Sequence, residues 1–161
     1  SIFLAMSMIG LLGFGYWFSS SLEKNLRGEV ESVASLVLQN FQKEEQNLLW
    51  QAQLVADRDN IHQAVAERDT KVLLQNLLPT RTMLGLNLIK VVDVDGSTVL
   101  DLRQGWLNRV KLQDEDAIKQ ALSGMYLSDL VSVEGQGQSL LVGFTPLKSK
   151  EGIEGGIILG K

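Results

Sequence analysis

The chain has 161 residues, a formal net charge of −4, 45% hydrophobic residues, one His and no Cys. That length holds one globular domain plus a tether, and the apolar content fits a folded chain. The lack of Cys excludes disulfide frameworks, thiolate metal sites and cysteine nucleophiles, and the mild acidity without a Lys/Arg run argues against nucleic acid, which needs clustered cations.

Residues 1–22 (SIFLAMSMIGLLGFGYWFSSSL) carry no charge, and Glu23 is the first charged residue. About 18 or more uncharged, mostly apolar residues suffice to cross a bilayer. Tyr16, Trp17 and Phe18 stand at the C-terminal end, where amphipathic aromatics prefer the headgroup level. Residues 1–22 are therefore read as a transmembrane helix and 23–161 as the domain beyond it. A cleaved signal peptide is the rival; the length of the run and its passage into a helical pattern argue against it.

After the span, Leu26, Val30, Val33, Val37, Phe41, Leu48, Ala52 and Val55 recur at steps of three and four, the spacing of one apolar helix face. The expectation is a helix over residues 24–57 that packs on its own domain, with the membrane-near part pairing with a second copy as a short coiled coil. Two short helices follow. Asp59 or Asn60 caps one that runs through Glu67, and Asp69 or Thr70 caps another that Pro79 stops.

From Leu86 the pattern becomes extended. LNLIKVVDV and STVLDLR flank Asp95-Gly96, a hairpin signal because both turn positions are expected at positive φ. After an irregular stretch, Asp114 is placed as the cap of a short helix closed by Gly124. Three strands are expected over residues 126–133, 139–145 and 153–159, with turns at Gly135-Gln136-Gly137 and Lys148-Ser149-Lys150. Short turns between neighbouring strands imply an α+β fold: an antiparallel sheet of about five strands over residues 86–160, with the long helix across one face.

Several chemical motifs fail on inspection. Asp93-Val94-Asp95-Gly96-Ser97 begins like a calcium loop, but Val91 and Leu102 stand where oxygen ligands are needed. Gly135, Gly137 and Gly143 have the wrong spacing for a nucleotide fingerprint. Gly152, Gly156 and Gly160 read as strand residues because Ile153, Ile157 and Ile158 surround them. His62, the one histidine, sits in a polar stretch and is expected to be a solvated surface residue. No catalytic residue, metal ligand or cofactor is assigned, and the chain is not expected to be an enzyme.

The order of elements resembles the Cache domain, the PAS-like extracytoplasmic sensor module of bacterial receptors. The pieces that carry the likeness are LGLNLIKVVDVDGSTVLDLR, AIKQALSGMYLSDLV and SLLVGFTPLKSKEGIEGGIILGK, within residues 24–161. The resemblance implies a sensor on the periplasmic side of the bacterial inner membrane, joined at its C-terminus to a histidine kinase, chemoreceptor or nucleotide cyclase. A small-molecule ligand, such as an organic acid, and a homodimer through the N-terminal helix are the implied partners. Amino-acid-binding members carry an arginine closely followed by a tryptophan–tyrosine pair. Arg103-Gln104-Gly105-Trp106 departs from that pattern.

Arg103, Trp106, Tyr126 and Asp129 are the ligand-binding candidates, since arginine offers a fork for carboxylates and aromatics form pocket walls. Lys90 is the fifth: it interrupts an apolar strand and faces either the pocket or solvent. The competing reading has Arg103 and Asp129 exposed or paired with each other, and Trp106 and Tyr126 in the core. A ligand-free dimerisation and spacer module is the alternative function.

Overall fold

The computed structural model describes the backbone of residues 2–135 and 137–161, and the side chains of residues 26–135 and 137–161. Two compact units divide the chain, Ser1–Gln42 and Lys43–Lys161. Among the described residues no helix is long and apolar enough to cross a membrane. The run expected to do so, residues 1–22, lies outside those whose side chains are described.

Helix α1 spans Ile2–Ala56. Within the second unit it buries Leu48, Ala52, Val55 and Ala56, and these continue the three-four spacing read from the sequence. Leu26, Val30, Val33 and Val37, earlier on the same periodic face, are each more than half exposed. The expected helix over residues 24–57 is present, and its burial starts only at Leu48.

Helices α2 (Asp59–Ala66) and α3 (Thr70–Leu84) follow. The Asp69 carboxylate caps α3 as expected, accepting from the Lys71 and Val72 N–H groups at 3.1 Å. Asp59 is instead the first residue of α2, which starts without a side-chain cap.

Pro79 does not stop α3; it lies inside it. An internal proline costs about 3 kcal/mol, and local packing outweighs that cost here. Leu77 and Thr80 on either side are buried, and Arg58 donates to the Thr80 hydroxyl at 3.2 Å. Thr80 and Thr82 donate back to the carbonyls of Asn76 and Leu78, a bond that accommodates a bent helix.

Strands β1 (Leu88–Asp93), β2 (Thr98–Arg103), β3 (Leu127–Val133), β4 (Gln138–Ser149) and β5 (Gly152–Gly160) form one antiparallel sheet in the order β2-β1-β5-β4-β3. The first hairpin is where expected, but its turn differs. Gly96 alone of the pair has positive φ, 81°. The Asp93 carbonyl accepts from the Gly96 N–H at 3.0 Å, and the Asp93 carboxylate takes the N–H groups of Asp95 and Ser97. Asp93 thus makes an Asx-type turn that leaves Asp95 in an ordinary conformation.

The sheet separates two apolar layers. One face carries Ile89, Val91, Leu100, Leu147, Ile157 and Leu159 against α1, α2 and α3. The other carries Leu88, Val92, Val142, Phe144 and Ile158 against a 3₁₀ turn (Gly105–Arg109) and helix α4 (Glu115–Leu122), with Leu107, Leu112, Ile118 and Ala121 filling the layer. Gly124, at φ 99°, closes α4 as read from the sequence.

Thr145 is 1% exposed on the α1–α3 face, and its hydroxyl has no hydrogen-bond partner. An unpaired buried hydroxyl carries a desolvation penalty. Thr145→Val, nearly isosteric, should leave stability unchanged or raise it by about 1 kcal/mol. Urea unfolding followed by circular dichroism measures this, and a loss of that size would mean that the hydroxyl is satisfied.

Candidate charged site beneath helix α4

On β1, residues 88, 90 and 92 point to the α4 face, because strand side chains alternate. Leu88 and Val92 are apolar, and Lys90 between them is 9% exposed. A buried ammonium needs a counter-charge. Asp114 supplies it, with the Lys90 Nζ donating to Oδ2 at 2.8 Å. The two side chains are 11% and 6% exposed.

Asp114 stands at the N-cap of α4, where the sequence places it, yet its carboxylate accepts no N–H from the first turn. The Lys90 ammonium holds the carboxylate through Oδ2 instead. Leaving a buried Lys90 without its counter-ion would cost about 3–5 kcal/mol, more than the roughly 1 kcal/mol of a cap, so the pairing wins.

Lys90 lies directly opposite Asp101 on β2, and Arg103 follows two residues along the same face. Arg103 and Asp101 form a two-pronged pair: Nε donates to Oδ1 at 2.8 Å and Nη2 to Oδ2 at 2.7 Å. Nη1 donates to the carbonyls of Leu107 at 3.2 Å and of Val110. The Asp101 hydrogen bond, which outweighs the cost of partial burial, holds the guanidinium above its ordinary pKa, and Asp114 adds to the effect. Arg103 thereby ties the 3₁₀ turn to the sheet edge.

Two cations and two carboxylates thus gather under the Gln104–Asp114 segment, each cation neutralised from within the domain. Among the sequence candidates the structure brings Lys90 and Arg103 together. Trp106 lies in the turn that Arg103 holds and is 46% exposed.

Tyr126 and Asp129 lie elsewhere. Arg103 pairs with Leu88, Leu88 with Gly160, Gly160 with Val142 and Val142 with Asp129. Arg103 and Asp129 are thus at opposite ends of one rung, roughly 19 Å apart at about 4.8 Å per strand. Asp129 is exposed and accepts from the Leu130 N–H. Tyr126 is 46% exposed, with the Lys148 ammonium 4.6 Å from its ring centroid.

Asp114 was legible in the sequence only as a cap, and its role as a counter-ion was not. The signal was present: a lysine inside an apolar strand requires a nearby carboxylate. His62 also departs from expectation. It is half-buried, and its Nδ1 lies 2.9 Å from Glu154 Oε2. His62, with a smaller part from Ser149, holds the Glu154 carboxyl below its ordinary pKa. The two residues line an open groove of about 480 Å³ with Asp59, Lys148, Ser149 and Lys150.

The arrangement around Arg103 generates a prediction about stability without any ligand. Arg103→Ala removes the donor of two backbone carbonyls and the partner of Asp101, so it should destabilise the chain by about 2 kcal/mol. Urea denaturation of both forms in ligand-free buffer tests this, and an unchanged midpoint would show the guanidinium to be free for other partners.

Comparison with known proteins places the fold. The model of a Cache family described as the double sensory domain of two-component sensor kinases matches residues 23–152. No curated protein sequence matches the chain. Among solved structures, the Escherichia coli DcuS sensor domain is similar with a TM-score of 0.55 and 20% identity, over 71% of this chain and 85% of that one. The periplasmic domain of Vibrio cholerae LuxQ aligns with a TM-score of 0.46 and 17% identity, over 75% and 57%. The ligand-binding domain of the Campylobacter jejuni chemoreceptor Tlp3, solved with L-valine, aligns with a TM-score of 0.41 and 10% identity, over 74% and 60%. With the family match covering most of its length, the chain belongs to the Cache family of sensory domains.

Proposed function

We propose that residues 23–161 form a ligand-sensing domain on the periplasmic side of a bacterial inner membrane, anchored by residues 1–22. On this reading the domain relays binding through its membrane-linked helices to a histidine kinase or related output module. The observation that carries the reading is the sensory-family match, which begins at residue 23, where the uncharged run ends. The ligand is a small anion such as an organic acid, and the supporting feature is the cluster of Lys90 and Arg103 on the α4 face.

A second reading, a ligand-free spacer, rests on a specific observation. Leu107, Leu112, Phe144 and Ile158 fill the space between α4 and the sheet, and Lys90 already has its counter-ion. A thermal-shift screen of the 161-residue chain in detergent, against organic acids and amino acids, separates the two. Sensing predicts a saturable rise in melting temperature with at least one compound. No rise across the panel would favour the spacer.

The reading includes a homodimer through α1. Its support is the exposed stripe of Leu26, Val30, Val33 and Val37, which is apolar at helical spacing. Val30→Lys with Val37→Lys should shift the chain from dimer to monomer in sedimentation equilibrium. A dimer that persists in this double variant would locate the interface elsewhere.

A further inference from the structure

We infer that Asp114 is an internal competitor for the ligand, occupying on Lys90 the place that the carboxylate of a small aliphatic acid takes when the domain is loaded. The inference rests on the sensing reading and names the contact through which sensing works.

Three observations carry it. The first is that Lys90 is a buried cation on the apolar α4 face, with Leu88 and Val92 beside it and Ile158 opposite. A carboxylate with a short aliphatic tail matches that setting in both charge and polarity.

The second is the difference between the two cations. Arg103 has its fork filled by both oxygens of Asp101 and by two backbone carbonyls. Lys90 has a single side-chain partner, carried on the irregular segment that leads into α4. One exchangeable cation calls for one carboxylate. A second would meet Asp101, directly opposite Lys90 on β2.

The third is that Asp114 has somewhere to go. It stands at the N-cap of α4 with its capping position unused. Once a ligand carboxylate takes Lys90, the Asp114 side chain can turn to the free N–H groups of the first turn. Both carboxylates are then satisfied, and the start of α4 changes its tie to β1. Lys111, Leu112, Gln113, Glu115 and Asp116, on both sides of Asp114, line an open groove of about 270 Å³, the route of entry. The exchange gives the domain two arrangements with different ligand affinity, which a sensor requires.

The test uses propionate as probe and propionamide as its neutral isostere, on the 161-residue chain in detergent. Propionate should raise the melting temperature of the wild type, and propionamide should not. In Asp114→Asn the competitor is gone and the cap is kept, so half-saturation should fall at least about tenfold. Lys90→Met alone breaks a buried charge pair by removing one partner and is prone to misfold. The matched control is therefore Lys90→Met with Asp114→Leu, which removes both charges and should fold but not respond to propionate. No propionate effect on the wild type, or an equal effect in the double variant, overturns the assignment. If another metabolite stabilises the wild type and the double variant alike, sensing stands and this site fails. If no compound stabilises the wild type, sensing itself fails.

Discussion

The sheet depends on one strand that arrives last. The β1–β2 and β3–β4 hairpins form a single sheet because β5 pairs with β1 on one side and β4 on the other. Its pairing is close. A Cβ at Gly155 would lie 2.3 Å from the Val92 carbonyl oxygen, so only glycine fits there. Ile157, Ile158 and Leu159 next to it are fully buried and contribute to both apolar layers. Gly155, Gly156 and Gly160 are thus buried within the sheet. They let β5 enter between two strands while its isoleucines face both ways.

With both faces covered, the chemistry of the domain concentrates where burial and charge conflict. On the α1–α3 face the buried Thr80 and Asp93 side chains are bonded to Arg58 and Arg68, and the Thr145 hydroxyl is the orphan. The α4 face carries Lys90, which pairs with Asp114, while Asp101 opposite it pairs with Arg103. Breaking a buried pair costs about 3–5 kcal/mol, whereas replacing both partners with apolar groups is often neutral. Stability alone does not explain why such a pair is kept. The inference that Asp114 is a replaceable partner would explain it, since the charge on Lys90 is then used twice.

The sequence made the architecture legible, because the change from three-four spacing to alternation at Leu86 is a periodicity signal with one physical meaning. It also showed the Asp69 cap and the Gly124 closure, which depend on residues close in the chain. It misled where tertiary contacts compete with local rules. Pro79 reads as a stop, and buried Leu77 and Thr80 carry the helix through it. Asp95-Gly96 reads as a two-residue turn, and the Asp93 carboxylate reshapes it. His62 reads as solvated, and Glu154, 92 residues away, holds it. Arg103, Trp106, Tyr126 and Asp129 read as one cluster because sequence distance says nothing about strand order. With β5 between β1 and β4, the β2 and β3 edges lie far apart.

The sheet is also tied to α1 at its far edge and at the end of the chain. The Ser128 hydroxyl on β3 donates to Glu45, and the Lys161 ammonium donates to Glu44 at 3.2 Å. At Gly143 on β4, a Cβ would come within 3.3 Å of Leu48, so helix and strand touch nearly backbone to backbone. Close-packed contacts of this kind transmit displacement rather than absorb it, because no side-chain gap lies between them to close. β3, β4 and the end of the chain thus meet α1 around residues 44–48, just past the boundary between the two units. The exchange inferred at Lys90 would begin on β1, three strands from β3, and its path to β4 would run through β5. The glycine-tight pairing of that central strand is the structural link between the strand that carries Lys90 and the strand that touches α1.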